Sequence, residues 1–266
     1  KNVKNAILDG KKGCLIIEPS PKLLKEYQKN VQKNFEEIQL NLSKLAKPSF
    51  NSKGDRILVK INADSMDLLT KIDPEHCDGI GLTRTEFLIK DGHIPSEEEQ
   101  FQVYSNLVKW SCGKPITIRT FDVGGDKPVE GITNNEENSF LGFRGIRVSL
   151  KFKDLFRSQI RALLRATALG PIQVMLPMVT IPEEVEETRE IITEEYLNLC
   201  EKGIKAGIPK LGIMVEVPLA ALSIEKFDVD FYSIGSNDLI QYLSATARDN
   251  RSVSYLYHAK YSAFWD

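Results

Sequence analysis

The sequence predicts an α/β protein built on a parallel sheet, and three observations indicate this class. Apolar runs of strand length alternate with amphipathic stretches of helix length from residue 55 onward. These runs contain few polar residues, as expected for strands that are buried on both faces. Six such strand–helix units follow one another, which is the pattern of a parallel sheet with crossover helices.

The units predict the following elements. Strands are expected at 56–63, 79–87, 116–122, 173–179, 210–218 and 230–238. Helices are expected near 65–76, 96–112, 153–169, 182–203 and 219–226. Regular spacing, without a GxGxxG motif after the first strand, favours a (β/α)8 barrel over a doubly wound sheet. Because a complete barrel has eight strands, we expect an incomplete barrel of about six units.

Two elements are predicted before the barrel. Residues 1–19 contain two short apolar runs around a glycine-punctuated turn, which indicates a pair of short strands. Ser20 and Pro21 form a helix start signal, and apolar residues then recur at steps of three and four. We therefore expect a long helical linker over 20–50, followed by the barrel over 51–266.

Composition excludes several classes of protein. The chain has 35 basic and 37 acidic residues and a net charge of −2, which argues against a nucleic-acid-binding surface. No apolar run approaches the ~20 residues that a membrane span needs. The four cysteines lie far apart and form no CxxC pair. Disulfides and zinc are therefore disfavoured, and a cytoplasmic location is expected.

Arginines stand at the predicted carboxyl ends of two adjacent strands, where barrel enzymes carry their active sites. Arg84 ends the second strand and Arg119 ends the third. Such an arginine needs either a structural ion pair or an anionic ligand that its guanidinium binds bidentately. Two of them side by side favour a shared dianionic ligand. The glycine pair Gly124-Gly125 that follows is equally consistent with an anion-binding loop and with a plain turn.

Carboxylates close the fifth and sixth predicted strands. Glu216 and Asp238 are expected to converge, and two neighbouring carboxylates need a cation or a proton between them. Oxygen ligands without His or Cys suit Mg²⁺, whereas the alternative is that these acids pair with Arg84 and Arg119. Asn237 would add an amide donor. The set predicts a site for a small anion chelated to Mg²⁺, which would stabilise an enolate.

The segment GIGLTRTEFL at 79–88 resembles a signature of the phosphoenolpyruvate-utilising enzymes. The resemblance is strongest to the Enzyme I family of phosphoenolpyruvate-protein phosphotransferases, which includes a nitrogen-related branch, and it extends from about residue 5 to 257. Five further segments agree in order: RTFDVGGDK (119–127), FLGFR (140–144), MLPM (175–178), GIMVEVP (212–218) and FYSIGSNDL (231–239). Phosphoenolpyruvate synthases and dikinases share the barrel and rank second.

The resemblance implies a role for each site residue. Substrate would contact Arg84, Arg119, Asn237, Asp238 and Arg248, with Arg144 as a further phosphoryl ligand. Glu216 and Asp238 would bind the Mg²⁺ cofactor. The implied reaction transfers the phosphoryl group of phosphoenolpyruvate to a protein histidine and releases pyruvate. Two positions depart from the family pattern, Ala247 in place of Asp and Ser139 in place of Pro.

The resemblance also implies features outside these residues. Residues 1–19 look like the last strands of a swivelling domain whose histidine accepts the phosphoryl group. The acid cysteine of the family follows a seventh strand, so no catalytic residue is expected here and the chain alone is expected to be inactive. The implied partners are phosphoenolpyruvate or pyruvate, a phosphocarrier protein that binds through the preceding region, and a second copy of the chain.

Two other classes remain open on the sequence. Six strands leave two open sheet edges, so the chain is also consistent with a non-catalytic ligand-binding or assembly fragment. A Mg²⁺-dependent lyase acting on 2-oxo acids would likewise place acids and an arginine at strand ends. The long helix favours the phosphotransferase, because a lyase needs no such connector.

Overall fold

The computed structural model describes residues 3–42, 44–45, 47–90, 92–124, 129, 132 and 139–265. The chain divides into two compact units, Lys1–Leu58 and Val59–Asp266. Among the described residues, no helix has both the length and the apolar character that crossing a membrane requires.

The first unit consists of two hairpins and one long helix. Strands β1 (Ala6–Asp9) and β2 (Cys14–Ile17) pair antiparallel, as the sequence predicts. Helix α1 (Pro21–Leu42) begins after Ser20, whose hydroxyl oxygen accepts the N–H of Leu23 at 3.3 Å. Strands β3 (Ser49–Phe50) and β4 (Arg56–Ile57) form a second antiparallel pair. The first predicted strand, 56–63, is therefore divided, and its beginning belongs to this hairpin.

A six-stranded parallel sheet forms the centre of the second unit. Its strands are β5 (Ile61–Asn62), β6 (Ile80–Arg84), β7 (Ile116–Arg119), β8 (Ile172–Leu176), β9 (Lys210–Val215) and β10 (Phe231–Ile234). Each strand lies beside the next in the chain, and every pair is parallel. A doubly wound sheet reverses its order at a switch point, so this sequential order excludes that alternative.

Helices cover one face of the sheet. They are α2 (Met66–Leu69), α3 (Glu97–Ser111), α4 (Ile146–Lys151), α5 (Lys153–Thr167), α6 (Pro182–Glu201), α7 (Pro218–Leu222) and α8 (Ser236–Leu243). The core lies between these helices and the strands, with Ile116, Ile118, Leu164 and Val174 fully buried. Alternate strand residues thus face the helices and leave the intervening ones for the other face of the sheet.

The sixth predicted strand, 230–238, is wrong in its second half. Pairing ends with Ile234 opposite Val215, and α8 begins two residues later at Ser236. Asn237 and Asp238 therefore lie in the first turn of a helix, beyond the end of the strand. The reason is local, because short polar side chains favour helix N-termini, where the free N–H groups and the helix dipole attract acids.

Candidate functional site

The carboxyl ends of β6 and β7 place two arginines opposite each other. Arg84 and Arg119 are direct partners in the parallel register. Arg84 is about one-third exposed, and its Nε and Nη2 donate to Asp64 Oδ1 and Oδ2 at 3.2 and 2.7 Å. This is a bidentate ion pair, the geometry that a guanidinium also offers to phosphate. The carboxyl end of β6 therefore carries a guanidinium that is bound on one side and open to solvent on another.

Arg119 is 6% exposed and lies among acids. Its Nη2 donates to Glu86 Oε1 and lies 3.1 Å from Asp122 Oδ2. Burial alone lowers its pKa, but the charges of Asp122, Glu86 and Glu216 outweigh burial and raise it. Its buried Nε makes no hydrogen bond to any described residue. A buried donor without an acceptor is costly, so Arg119 retains one donor that an anionic ligand would satisfy.

Arg144 joins two acids and is itself buried. Its Nε and Nη2 donate to Asp122 at 3.2 and 2.9 Å, and its Nη1 donates to Asp238 Oδ1 at 3.1 Å. Burial lowers the pKa of Arg144, but the two carboxylates outweigh burial and hold it above its usual value. Arg144 therefore connects the end of β7 to the start of α8.

A glycine makes this arrangement sterically possible. Gly124 has φ of +96°, and a Cβ there would lie 2.1 Å from the carbonyl oxygen of Phe143 and 2.9 Å from Arg144 Cα. Only glycine fits this turn. The sequence left open whether Gly124-Gly125 is an anion-binding loop or a plain turn. Gly124 forms a close turn, and 125–127 lie outside the described residues.

Glu216 follows β9 and is 1% exposed. Its Oε1 accepts the main-chain N–H of Met178 at 2.6 Å. Burial, and after it the neighbouring charges of Asp122 and Asp238, raise the pKa of Glu216 to about 8. A Cβ on Gly235 would lie 2.6 Å from Glu216 Cβ, so this glycine allows β10 to approach the carboxylate. Glu216 is therefore more easily protonated than an ordinary glutamate, and a bound cation would favour its ionised form.

The donor set suits a hard divalent cation that shares its ligands with a substrate. Among the described residues, no three His, Cys, Asp or Glu side chains form a complete metal cage. Glu216 and Asp238 each use one oxygen in the hydrogen bonds above, and the second oxygen makes none to a described residue. Two carboxylates that are completed by substrate oxygens and water are the usual surroundings of Mg²⁺ in such sites.

Asn237 and Arg248 lie outside the buried cluster. Asn237 is exposed, and its main-chain carbonyl accepts the Tyr257 hydroxyl at 3.1 Å. Arg248 is also exposed, and its guanidinium carbon lies 5.1 Å from the centre of the Phe140 ring. The main-chain N–H of Arg248 donates to Gln241 Oε1 at 3.1 Å. Asn237, in the first turn of α8, and Arg248, after that helix, therefore both remain exposed.

A cavity of about 680 Å³ adjoins the acidic side of the cluster. Val217, directly after Glu216, and Tyr242, one turn after Asp238, contribute to its wall. The other lining residues are Phe140, Leu141, Arg147, Met178, Pro218, Gln241, Ala245, Thr246, Ala247 and Asp249. Its size is within the range of small-molecule sites.

The structure thus brings together part of the predicted set. Arg119, Glu216 and Asp238 share one buried cluster, and Arg84 lies beside it on β6. The acids do not pair with Arg84 and Arg119 in the way the alternative proposed. Asp238 pairs with Arg144, while the two strand-end arginines pair with other carboxylates.

Sequence reasoning assigned no role to three of these partners. Asp64, Glu86 and Asp122 hold Arg84, Arg119 and Arg144 in place. Asp64 follows β5 and Asp122 follows β7, so the strand-end criterion that selected the arginines would also have selected these acids. The Met178 N–H gave no such signal, because it is a main-chain group.

A sequential parallel sheet with arginines and acids at its carboxyl edge is typical of α/β proteins that bind small anions. Comparison with known families agrees with this class. The chain belongs to the phosphoenolpyruvate-utilising enzymes and matches their phosphoenolpyruvate-binding domain over residues 40–264. The family resemblance stated from the sequence motifs is therefore confirmed.

Similar proteins carry a more specific name. The chain is 39% identical over 264 residues to a phosphoenolpyruvate-protein phosphotransferase of Geobacillus stearothermophilus, covering 97% of this chain and 45% of that protein. It is 40% identical over 257 residues to the protein of the same name from Staphylococcus carnosus, covering 94% and 45%. A phosphoenolpyruvate-dependent phosphotransferase system protein of Escherichia coli is 38% identical, covering 98% and 35%. The chain therefore spans less than half the length of these relatives.

Proposed function

We propose that this chain is the phosphoenolpyruvate-binding region of a phosphoenolpyruvate-protein phosphotransferase. The observation that carries the proposal is the cluster at the carboxyl ends of β7 and β9 and the first turn of α8. Arg119, Arg144, Glu216 and Asp238 converge there. The names of the relatives support the same activity. The whole protein would transfer the phosphoryl group of phosphoenolpyruvate to a protein histidine and release pyruvate.

The proposed architecture is an incomplete (β/α)8 barrel over 51–266, preceded by a helical linker over 20–50. The sequential order of six parallel strands supports it, because barrels wind in one direction without a switch point. Residues 1–19 are proposed to belong to the swivelling phosphohistidine domain. Leu8 and Leu15 support this assignment, because they are register partners in the first hairpin and both exposed, so they form an apolar patch that further protein would cover.

Arginines would bind the phosphoryl group. Arg84 is about one-third exposed, the buried Nε of Arg119 makes no hydrogen bond to a described residue, and Arg144 directly precedes the N-cap residue of α4. Transfer spreads charge over the phosphoryl oxygens, and fixed cations stabilise that charge without reorganisation. The acids Asp64 and Asp122 orient these guanidinium groups before substrate arrives.

Glu216 and Asp238 would hold Mg²⁺ as the cofactor. Their arrangement fits, because burial, and after it the negative charges of Asp122 and Asp238, raise the pKa of Glu216, and a cation would offset both effects. When bound, Mg²⁺ would supply neutralisation of the phosphoryl and enolate oxygens. The Met178 N–H holds the Glu216 carboxylate in position.

Asn237, Asp238 and Arg248 would complete the substrate contacts. Asn237, in the first turn of α8, and Arg248, after that helix, are both exposed, so a carboxylate and a phosphate would reach them from solvent. In the reaction, the bond between phosphorus and the enol oxygen breaks as a phosphorus–nitrogen bond to histidine forms. The enolate then takes a proton at its terminal carbon and becomes pyruvate.

The proposed partners follow from the same assignment. A phosphocarrier protein would receive the phosphoryl group through the region that bears the histidine, and the chain would form a homodimer. A cytoplasmic location is proposed, supported by four cysteines that are all free thiols. Sedimentation of the isolated chain tests the dimer, which a monomer at micromolar concentration would contradict.

Calorimetric titration with phosphoenolpyruvate tests the proposed function. Binding is expected with Mg²⁺ and is expected to weaken at least tenfold when Mg²⁺ is removed. Arg84→Ala and Glu216→Ala are each expected to abolish it. Arg165→Ala, which removes a guanidinium from α5 far along the chain from these residues, is the matched control and should bind like the parent. Absence of binding in the folded parent would overturn the proposal.

A further inference from the structure

One tyrosine on α8 reaches two other segments of the site. The Tyr242 hydroxyl donates to the main-chain carbonyl oxygen of Phe140 at 2.5 Å and lies 3.8 Å from the sulfur of Met178. Phe140 stands four residues before Arg144, and Asp238 stands four residues before Tyr242 on the same helix. A single phenol therefore contacts segments that carry separate parts of the charged cluster.

Met178 is held in an unusual backbone conformation. Its φ is +58°, a region that residues with a side chain rarely adopt. This conformation directs its N–H to Glu216 Oε1 at 2.6 Å. A Cβ on Gly145 would lie 2.8 Å from Met178 Cβ, so the turn after Arg144 packs directly on it. Strained residues persist only where surrounding contacts hold them, and Tyr242 supplies one of those contacts.

The Tyr242 hydroxyl remains a donor at neutral pH. Burial raises its pKa to about 12, and the charged groups that face it are Arg144, Asp238, Glu216 and Arg147. The proton on this hydroxyl is therefore a fixed part of the arrangement. Among the residues that the structure describes, no other side chain donates a hydrogen bond to the Phe140 carbonyl.

We propose that Tyr242 is a positioning residue, which fixes Arg144 through the Phe140 carbonyl and fixes Glu216 through Met178. The inference rests on the proposed function, because that function assigns the groups that Tyr242 positions. Tyr242 needs no contact with the reacting atoms for this role. Loss of its hydroxyl leaves the Phe140 carbonyl without its donor and removes one support of the Met178 turn.

The test uses Tyr242→Phe, which removes only the hydroxyl. Phosphoenolpyruvate affinity in the presence of Mg²⁺ is expected to fall about fivefold, the usual effect of one hydrogen bond. Tyr232→Phe is the matched control, because the Tyr232 hydroxyl also donates to main-chain carbonyls, those of Ile224 and Phe227 at 3.2 and 3.0 Å. The control is expected to bind like the parent, and thermal unfolding of both variants shows whether each is folded.

Coupling to Arg144 distinguishes positioning from general stability. If Tyr242 acts through Arg144, the affinity losses of Tyr242→Phe and Arg144→Lys are less than additive in the double variant. Tyr232→Phe combined with Arg144→Lys is expected to be additive. Additive losses for both pairs would contradict the proposed route through Arg144.

Hydrogen exchange of the Met178 amide gives a result that does not depend on substrate. Exchange is expected to be about fivefold faster in Tyr242→Phe and unchanged in Tyr232→Phe, because the hydroxyl supports the turn that donates to Glu216. If the parent fails to bind phosphoenolpyruvate, the proposed function fails while this measurement still decides the inference. Unchanged exchange in Tyr242→Phe, or unchanged affinity where the parent binds, would overturn the inference.

Discussion

Two networks of arginine and carboxylate occur in the second unit, and they differ in almost every physical property. One joins α5 to its neighbouring helices, and the other lies at the carboxyl ends of the strands. On α5, Arg157, Arg161 and Arg165 recur at steps of four and therefore share one helix face. They pair with Glu97 and Glu98 of α3 and with Glu194 and Glu195 of α6.

The helix network is satisfied, and its arginines are partly solvated although Glu195 is buried. Its arginine side chains are 19–28% exposed, and its ion pairs measure 2.6–3.2 Å. Burial by itself raises the pKa of Glu195, but hydrogen bonds from Arg157 and Arg161 outweigh it and lower the pKa. Each of the three arginines therefore has two carboxylate partners in this network.

The strand-end network is buried and incomplete. Arg119 and Arg144 are 6% and 4% exposed, the Nε of Arg119 has no acceptor among the described residues, and the pKa of Glu216 is raised to about 8. The ion pairs of the helix network stabilise the packing of α5 against α3 and α6. A network that leaves a donor and a carboxylate unsatisfied has the properties of a ligand site.

Removal of one arginine from each network should give the largest difference in the free energy of unfolding. Arg119→Met leaves Glu86 and Asp122 buried without this cation, so the free energy of unfolding is expected to fall by about 3–5 kcal/mol. Arg165→Met removes a partly exposed partner and is expected to cost less than about 1 kcal/mol. Urea denaturation measures both. Equal losses would show that the two networks do not differ as described.

The raised pKa of Glu216 predicts that stability falls as pH rises, the opposite sign to the helix network. Its folded pKa, about 8, lies above that of an unfolded glutamate, so the folded state binds the extra proton. Stability from this group is full below the unfolded pKa and is lost as pH rises through about 8, by at most about 5 kcal/mol in total. Glu216→Gln should remove this decline between pH 5 and pH 8. A parent and a variant with parallel pH profiles would contradict the raised pKa.

The lowered pKa of Glu195 predicts a pH dependence of stability with the opposite sign and a smaller size. Because its pKa is lowered, its contribution is present above the unfolded pKa and is lost as pH falls through the folded value. Glu195→Gln is expected to cost about 1 kcal/mol at pH 7 and to leave phosphoenolpyruvate affinity unchanged. Chemical denaturation and calorimetry measure the two effects. A loss of affinity would mean that the helix network supports the site.

Added salt is expected to change the stability cost of these substitutions only slightly, and to change it in the helix network alone. Exposed ion pairs are screened by salt, whereas buried ones are screened much less. The cost of Arg157→Gln is therefore expected to decrease by a few tenths of a kcal/mol when salt is raised to about 1 M. The cost of Arg119→Met is expected to stay the same. Equal screening of both costs would contradict the difference in burial.

Most of the fold was predictable from the sequence, because buried parallel strands leave continuous apolar runs. The runs around β7, β8 and β9 were located correctly. The errors occurred where tertiary context decides. Polar residues 236–238 continue an apolar run but start a helix, and residues 56–57 pair locally in a hairpin before the sheet begins.

The site was predictable only as a set of residues. Strand-end position indicated Arg84, Arg119 and Glu216, because parallel strands share one carboxyl edge. Which acid pairs with which arginine depends on register and turn geometry, as the contact between Arg144 and Asp238 shows. The Met178 N–H contact depends on a positive φ, which the residue types do not encode.

Paramagnetic ³¹P NMR tests the central claim most directly, namely that the strand-end cluster holds phosphoenolpyruvate and a divalent cation together. Mn²⁺ replaces Mg²⁺, and relaxation of the phosphoenolpyruvate phosphorus is measured with the parent and with Glu216→Ala. We predict strong relaxation with the parent that is lost in Glu216→Ala and retained in Glu195→Gln. Relaxation in Glu216→Ala equal to that in the parent, or none with the folded parent, would contradict the claim.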